Sequence, residues 1–450
     1  MSTLTIAIVI VFIIGYAGIA LESVTKVNKA AVALLMFVAC WTLYMVSPES
    51  YVPGAGGMDA SSLLSKVNSI IEEHLGSTAT TLFFLMGAMT IVEIVDQNGG
   101  FNFVRKALHS ESKRALLWKI SFMAFFLSAI LDNMTTTIVM IMVLRKLVAD
   151  HNDRLIYASL VVIAANAGGA FSPIGDVTTI MLWNKSLITS AGVIKEIFIP
   201  SVIAMVVPAI VLQFSLHGKL AAAGGPAVNS ESNAFTDRER KVIFFLGVGG
   251  LIFVPIFRYL TNLPPFVGIL LVLALLWVTT ELFYRHLRGK EEKGAMNKRV
   301  SNVLSKIDMS TILFFLGILM AVSCLEEVGV LGAVGKWLNQ VSGGNHYIVT
   351  GTIGVISSIV DNVPLVAGCM GMYPLAATGD FAVDGIFWQL LAYCAGVGGS
   401  MLIIGSAAGV VAMGLEKISF GWYMKHISWI AFLGYIAGIF SYFLLRTFIF

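Results

Sequence analysis

Two aspartate–asparagine pairs interrupt long apolar stretches of this chain. Asp132-Asn133 lies in the middle of one apolar segment, and Asp361-Asn362 lies inside a second one. A third aspartate, Asp176, follows a run that contains glycine and proline. Carboxylate, hydroxyl and carbonyl oxygens are the ligands that small, hard cations prefer. The three aspartates therefore indicate a site that holds a cation, or a proton in its place.

Neutral oxygen donors lie next to each aspartate in the sequence. Burial raises the pKa of a carboxyl group and a bound cation lowers it, so these groups would hold either protons or a cation. Asp and Asn also suit a simpler role, because both are favoured at helix N-caps. The candidate cation- and proton-binding residues are Asp132, Asn133, Thr135, Ser172, Asp176, Thr178, Asp361, Asn362 and Ser406. Ligands of a small, hard cation are expected among Asp132, Asn133, Ser172, Asp176, Asp361 and Asn362, and no resident cofactor is expected.

The composition of the chain is that of a membrane protein. Hydrophobic residues make up 57% of its 450 positions and charged residues only 12%, whereas soluble domains average roughly 25% charged residues. Apolar stretches such as 6–21, 30–46 and 429–445 each approach the roughly 20 residues that a helix needs to cross a bilayer. No basic stripe with interleaved aromatic residues indicates nucleic acid as a partner. We predict a multi-pass protein of the bacterial inner membrane, whose first segment is a retained span and not a signal peptide.

Lysine and arginine near the ends of spans predict the topology, because they collect on the cytoplasmic side. Basic residues flank the segment 116–145 at both ends, so both ends are expected in the cytoplasm. The segment then predicts a re-entrant helical hairpin with Asp132-Asn133 at its tip. The segment 347–373 predicts a second hairpin, which enters from outside with Asp361-Asn362 at its tip. Both termini are expected outside.

The two halves of the chain share three landmarks at nearly one spacing. Leu82-Phe83-Phe84 returns 231 residues later, Asp132-Asn133 returns 229 residues later, and the glycine-rich run at Gly175 returns 230 residues later. The two copies would cross the membrane in opposite directions. Inverted repeats with interrupted helices are typical of secondary transporters. Because Ser406 stands in the second copy where the first has Asp176, an asymmetric site is expected.

The predicted fold is an all-α polytopic membrane protein with a scaffold and a transport domain. Each repeat is expected to contain a re-entrant hairpin and a broken transmembrane helix, since glycine permits a break and proline prevents helical continuity. The predicted divisions are N-terminal scaffold spans at 1–75, a first repeat at 76–216 (hairpin 116–145, broken helix 155–184, then a scaffold span), a cytoplasmic linker at 217–241, scaffold spans at 242–284, a second linker at 285–308, and a second repeat at 309–450 (hairpin 347–373, broken helix 386–415, last span).

These motifs resemble those of the NhaD-type sodium/proton antiporters of the ion transporter superfamily. The resemblance covers nearly the whole chain and rests on Leu131-Asp132-Asn133-Met134-Thr135-Thr136-Thr137, Ser172-Pro173-Ile174-Gly175-Asp176-Val177-Thr178-Thr179 and Val360-Asp361-Asn362-Val363-Pro364-Leu365. It implies a secondary transporter, not an enzyme, that exchanges Na⁺ or Li⁺ for H⁺. It also implies a homodimer in which a mobile domain, with both hairpins and both broken helices, moves elevator-fashion against a fixed scaffold.

Other functions are compatible with intramembrane aspartates. A sodium-coupled carboxylate symporter or an arsenite-type exporter of the same superfamily would share this layout. The aspartates, however, put negative charge where an anionic substrate would bind, and no basic residue stands in either hairpin tip. An intramembrane aspartyl protease would need Gly-x-Gly-Asp, whereas Pro173 stands two residues before Gly175. Weaker candidates for a role in transport, which otherwise face water at the ends of spans, are Glu93, Asp96, Glu326 and Glu327.

Overall fold

The computed structural model describes residues 2–20, 25–52, 54–99, 108, 110, 112–218, 220, 235–286, 300–305, 307–359 and 362–449. The first half forms α1 (Thr3–Ala20), α2 (Lys29–Tyr44), α3 (Ala60–Gln97), α4 (Lys113–Leu131), α5 (Asn133–Leu147), α6 (His151–Ala170), α7 (Val177–Asn184) and α8 (Ser190–Leu212). The second forms α9 (Asp237–Thr261), α10 (Pro265–His286), α11 (Val300–Leu304), α12 (Met309–Glu327), α13 (Val330–Val341), α14 (His346–Ser357), α15 (Asn362–Met372), α16 (Ile386–Gly398), α17 (Ala407–Glu416), α18 (Phe420–His426) and α19 (Ser428–Phe448). The predicted all-α class is confirmed for these residues.

Seven of the described helices are long and apolar enough to cross a bilayer. Large apolar side chains are exposed on their outward faces, for example Leu260, which is 67% exposed, and Val278, which is 60% exposed. Such faces would be unfavourable in water and suit contact with lipid. The chain is therefore a multi-pass membrane protein. The seven helices are α3, α4, α8, α9, α10, α12 and α19.

Four apolar segments are each divided into two helices. They are the first helix pair (α4 and α5), the first broken helix (α6 and α7), the second helix pair (α14 and α15) and the second broken helix (α16 and α17). A helix that begins inside a protein leaves backbone N–H groups without partners, and these need a capping acceptor. Asp132 supplies it to α5, Asp176 to α7 and Ser406 to α17.

The broken helices approach the helix pairs backbone to backbone. A Cβ atom on Gly168 in α6 would collide with the carbonyl of Phe125 in α4. In the second half, a Cβ atom on Gly398 in α16 would collide with the carbonyl of Gly354 in α14. Glycine is therefore required at both crossings, and it fixes how closely each broken helix lies against its helix pair.

The two helix pairs are anchored at opposite ends of α8. Where α8 ends, the Leu216 carbonyl accepts a hydrogen bond of 3.2 Å from Arg114 Nε at the start of the first pair. Where α8 begins, the Thr189 backbone N donates to Asp384 at 2.7 Å. Asp384 lies in the connection that leaves the second pair. The first pair is therefore bound at one end of α8 and the second pair at the other, and α8 is about 35 Å long.

A second group of helices lies along one side of the helix pairs and broken helices. Helix α12 packs against both α2 and α3, and α10 packs against α3 and α9. The indole Nε1 of Trp41 in α2 donates to the Met320 carbonyl in α12 at 2.8 Å, and the Tyr284 hydroxyl in α10 donates to Asn98 at 3.0 Å. Most of the two predicted linkers, at 221–234 and 287–299, lies outside the described residues. The predicted division into scaffold and repeats stays a prediction.

The close crossing at Gly168 predicts a large effect of a single methyl group. We expect Gly168→Ala to lower the melting temperature of the detergent-solubilised protein and its folded yield, since overpacking against backbone costs about 1–3 kcal/mol or more. The matched control is Gly249→Ala in α9, where an added Cβ meets no atom within 4 Å. Equal thermal stability of the two variants would contradict the assigned crossing.

Candidate cation site

Four short helices begin at one buried polar centre. Asn133 is the first residue of α5, Asp176 caps α7, Asn362 is the first residue of α15, and Ser406 caps α17. The N-terminus of a helix carries partial positive charge, equivalent to roughly half an elementary charge. The convergence of four such ends favours negative charge at the centre.

Asp176 is the carboxylate at this centre, and only 1% of the residue is exposed. Its Oδ1 accepts from the backbone N of Thr178 at 2.9 Å and from the Thr178 hydroxyl at 2.7 Å. Its Oδ2 accepts from Asn133 Nδ2 at 2.7 Å, and Asn362 Nδ2 makes a longer contact of 3.4 Å with Oδ1. Donors from both halves of the chain therefore meet on one carboxylate.

Asn166 connects the first half of the site to the second. Its Oδ1 accepts from Asn133 Nδ2 at 3.0 Å, and its Nδ2 donates to the hydroxyl oxygens of Ser400 and Ser406, both at 2.9 Å. All four side chains are buried. The hydrogen bonds form a continuous path from Asp176 through two amides to two hydroxyls, and a buried network of this kind rigidifies the elements that it joins.

Asp132 has a strained backbone at the break of the first helix pair. Its φ is 83° and its ψ is 161°, a conformation that is essentially restricted to glycine and costs other residues about 1–3 kcal/mol. Its carboxylate accepts from the Thr135 backbone N at 2.7 Å and from the Thr135 hydroxyl at 3.0 Å. Strain of this kind persists only where the surroundings enforce it, and it clusters at functional sites.

The structure separates the predicted site residues into groups. Ser172 lies beside the break of the first broken helix, where its hydroxyl donates to the Ala129 carbonyl of α4 at 2.5 Å. Asp361 lies outside the described residues. The structure brings Asn133, Asp176, Thr178 and Asn362 together at the centre, with Ser406 joined through Asn166. Asp132 and Thr135 bind each other, and Ser172 binds the backbone of α4.

Two residues of the network, Asn166 and Ser400, were not among the predicted site residues. Asn166 lies in the stretch 158–170 of α6, which is buried throughout, and a fully buried amide needs several partners. That combination of a polar side chain and an apolar helix is the signal that identifies it. Ser400 follows the glycine pair Gly398-Gly399, but a serine in a small-residue run gives no comparable signal.

The donor set of the centre suits a hard cation. It offers carboxylate, amide and hydroxyl groups, which favour alkali and alkaline-earth ions over transition metals. Over the part of the chain that is described, no group of three or more His, Cys, Asp or Glu residues is arranged to hold a metal ion. The four cysteines are free and buried.

Interrupted membrane helices that meet at a buried polar centre define the class of secondary transporters. Sequence comparison agrees with this class. A family model described as citrate transporter (CitMHS) matches residues 9–390, and the chain belongs to this family. The resemblance to NhaD-type antiporters is also confirmed by individual relatives.

Those relatives include plant and bacterial proteins. The chain is 40% identical to "Sodium/proton antiporter 2" of Arabidopsis thaliana, over 98% of this chain and 99% of that protein. It is 33% identical to "Na(+)/H(+) antiporter NhaD" of Alkalimonas amylolytica, over 80% and 76%. Among solved structures, the Alcanivorax borkumensis YdaH transporter, whose topology is described as unusual, aligns with a TM-score of 0.57 at 11% identity, over 92% of this chain and 98% of that one. The structural likeness shows a shared fold.

The central position of Asn166 predicts a specific loss of stability. We expect Asn166→Leu to lower the melting temperature, because leaving buried polar partners unsatisfied costs about 1–3 kcal/mol. The control is Thr279→Val, which removes an exposed hydroxyl that bonds to its own helix at Leu275. A melting temperature for Asn166→Leu as high as that of Thr279→Val would show that the network contributes nothing to stability.

Proposed function

We propose that this protein is a secondary transporter that exchanges Na⁺ or Li⁺ for H⁺. The observation that carries the proposal is the buried Asp176 carboxylate at the meeting point of four helix N-termini. The plant and bacterial relatives, which are named sodium/proton antiporters, support the same function. Na⁺, Li⁺ and H⁺ are substrates in this proposal, and no resident cofactor takes part.

Competition for Asp176 would couple the two ions. A carboxylate binds either a proton or a cation, and each lowers the occupancy of the other. Asp132, at the tip of the first helix pair, and Asp361, which the sequence predicts at the tip of the second, would be the further carboxylates of the exchange. If only occupied forms of the site reorient, entry of one ion requires departure of the other.

The amides at the centre would change orientation during this exchange. In the structure, Asn133 and Asn362 turn Nδ2 toward Asp176 and donate to its oxygens. A cation on the same carboxylate takes oxygen ligands. Rotation of each amide would replace Nδ2 by Oδ1 and so present a neutral oxygen to the cation. Asn166, which accepts from Asn133, would limit how freely that amide turns.

Matching contacts in the two halves support the proposal of inverted repeats. Ser128 Oγ in α4 donates to the Ala165 carbonyl in α6 at 2.6 Å. Ser357 Oγ in α14 donates to the Ala395 carbonyl in α16 at 3.1 Å. The glycine crossings repeat in the same way. Together with the opposite anchoring of the two helix pairs along α8, these contacts favour two re-entrant hairpins of opposite orientation.

The packing also suggests which helices would move together. Helices α8 and α19 pack on each other and on the broken helices, so we assign both to the mobile body with the two helix pairs. This assignment of α8 differs from the scaffold role that the sequence predicted for the span before residue 216. Helices α1, α2, α3, α9, α10 and α12 would form the fixed scaffold of an elevator-type mechanism. A homodimer formed through that scaffold, in a bacterial inner membrane, is proposed from the family resemblance.

A cavity of about 440 Å³ lies between the proposed scaffold and the mobile body. Its walls include Thr81 and Glu326 on the scaffold side and Met181 and Ala367 on the other. Met181 and Ala367 lie on α7 and α15, five residues after the Asp176 cap and the first residue of α15, which corresponds to about 8 Å. By the predicted topology the cavity opens outside, and we propose it as the outer access route of the cation.

The family description as citrate transporter keeps a carboxylate substrate as the second candidate. Recognition of an anionic substrate would need positive charge, usually from arginine or lysine. The hydrogen bonds described at the centre come from the neutral amide, hydroxyl and backbone N–H donors of Asn133, Asn166, Asn362 and Thr178. The centre therefore favours a cation, and citrate or arsenite flux becomes the alternative outcome of the transport assay.

The charge of Asp176 is the first requirement to test. In everted vesicles from a strain without its own sodium/proton antiporters, with an acid interior, Na⁺ or Li⁺ should collapse the gradient reported by a pH-sensitive dye. We expect Asp176→Asn to abolish that response, because the amide can still cap α7 but cannot balance a cation.

The matched control is Asp308→Asn at another helix cap. Asp308 accepts from the Thr311 backbone N at 3.2 Å and the Thr311 hydroxyl at 2.6 Å at the start of α12. Like Asp176, it therefore binds both the backbone and the hydroxyl of one threonine, here three residues on and not two. The Asp308→Asn variant should exchange ions at the wild-type rate. Wild-type exchange by a folded Asp176→Asn would refute the assigned site, and no response of the wild type to any alkali cation would turn the proposal toward citrate or arsenite.

The access route predicts a one-sided chemical sensitivity. We expect Ser77→Cys, on the α3 wall of the cavity, to react with a membrane-impermeant thiol reagent added from outside and to lose exchange activity. Wild-type protein gives the background, since its cysteines are buried. Thr279→Cys on the lipid-facing side of α10 should remain active. Reaction only from the cytoplasmic side would place the opening of the cavity on the other face.

A further inference from the structure

The three helices that meet at Asn166 meet again at a second polar junction. At the first junction, α5 contributes Asn133, α6 contributes Asn166 and α17 is capped by Ser406. At the second, α5 contributes Arg145 and α6 contributes Arg154, and both bind Glu416 in the last turn of α17. The same helices are therefore joined twice, by neutral groups at one end and by charges at the other. Each pair of these helices is also in direct contact.

Glu416 is the centre of the charged junction. Only 2% of its side chain is exposed, although both of its arginine partners reach water. Arg145 Nε donates to Oε1 at 2.8 Å, and Arg154 Nε donates to Oε2 at 3.1 Å, so each carboxylate oxygen has its own guanidinium. His151 Nδ1 lies 3.8 Å from Oε2. A buried carboxylate with two such partners is held in one position.

The arginines also bind the ends of the surrounding chain segments. Arg145 donates to the Leu415 carbonyl, one of the free carbonyls at the end of α17. Arg154 Nη1 donates to the carbonyls of Val148 and Ala149, in the connection between α5 and α6, at 3.0 and 2.9 Å. Cations at helix C-termini are favourable because the helix dipole is negative there. Thus the junction fixes helix ends as well as side chains.

Distance along the helices connects this junction to the cation site. Arg145 follows Asn133 by about 18 Å, Arg154 precedes Asn166 by about 18 Å, and Glu416 follows the Ser406 cap by about 15 Å, at 1.5 Å per residue. A helix transmits a shift at one end along its axis to the other. Loss of the charged junction would let the three helices slide, and the hydrogen bonds at Asn166 would lose their geometry.

We propose that Glu416, with Arg145 and Arg154, is an ionic clamp that positions the cation site from the opposite ends of three helices. The predicted effect of the clamp on transport rests on the proposed function. The predicted effect of the clamp on the geometry of the site is independent of that function. Glu416 is a positioning residue, since it contacts no group of the site. At the opposite end of the broken helices, Asp384, in the connection before α16, accepts from neutral donors: Thr189, in the connection after α7, and Gln389 in α16. Among the residues that the structure describes, the ionic form of this junction is therefore found at one end of the broken helices.

The test compares Glu416→Gln with a buried glutamate elsewhere. In the vesicle assay, we expect Glu416→Gln to raise the apparent KM for Na⁺ about tenfold, which corresponds to about 1.4 kcal/mol. The matched control is Glu196→Gln: Glu196 binds Arg446 at 2.6 Å and Tyr442 at 3.0 Å and joins α8 to α19. The KM of the Glu196→Gln variant for Na⁺ should stay within about twofold of wild type even if the melting temperature of that variant falls.

A second variant covers the case in which Glu416→Gln does not fold, since removing one partner of a buried ion pair leaves uncompensated charge. Arg145→Gln/Arg154→Gln/Glu416→Gln removes all the charges together, and it should fold and show the same raised KM. Wild-type KM in a folded variant of either kind would overturn the clamp.

Hydrogen–deuterium exchange gives a readout that is independent of transport. In Glu416→Gln, the amides at 135–138 and 408–411, at the starts of α5 and α17, should exchange faster, whereas Glu196→Gln should leave them unchanged. Unchanged protection in Glu416→Gln would overturn the clamp. If the wild type showed no cation-dependent proton movement while this exchange pattern appeared, the proposed antiport would fail and the clamp would stand.

Discussion

Burial of the Asp176 carboxylate is the constraint on which the rest of the structure depends. An ionised group at membrane depth needs partners, because lipid and apolar side chains offer it none. The hydrogen bonds that Asp176 accepts come from amide, hydroxyl and backbone N–H donors. In a helix, the free backbone N–H groups are those of the first turn. Broken helices are therefore the means by which the fold stabilises the charge.

The requirement for several helix starts at one point explains the close packing around them. Four broken segments can converge only if their backbones approach each other more closely than ordinary side chains allow. Gly168 and Gly398 make this possible at the two crossings. Gly396, which occupies the position of Asn166 in the second half, brings α16 close to Ala170 in α6. The asymmetry of the halves thus leaves room for one amide, and a single network results in place of two.

Much of the fold could be predicted from the sequence because its signals are local. Composition and apolar length give the all-α multi-pass class, which is confirmed. Asp132 and Asp176 are caps with partners two or three residues away, and Pro173 excludes a continuous helix, so interruptions near them have a clear sequence signal. The residues that form the site were harder to predict from the sequence than the fold. Ser172 has the chemistry of a ligand but bonds to the α4 backbone, because its orientation depends on a crossing that no local pattern encodes.

Polar contacts between residues far apart in the sequence also could not be predicted. Glu416 follows an apolar helix and precedes Lys417, a pattern typical of an interfacial residue facing water. Its arginine partners lie 262 and 271 residues away in the sequence, so their convergence follows only from the packing of α5, α6 and α17. Asn166 had a detectable signal, an amide in a buried helix, although its partners Ser400 and Ser406 did not.

The convergence of helix starts also has an electrical consequence. The four N-termini add positive potential at the carboxylate, and the C-termini of α4, α6, α14 and α16, which end at the same breaks, offset part of it. A cation bound at Asp176 adds one elementary charge to this centre. A membrane potential of 100 mV acts on each elementary charge with about 2.3 kcal/mol. The cation-loaded and the unloaded centre would thus differ by one charge in their response to voltage, and the potential would act differently on the reorientation of each.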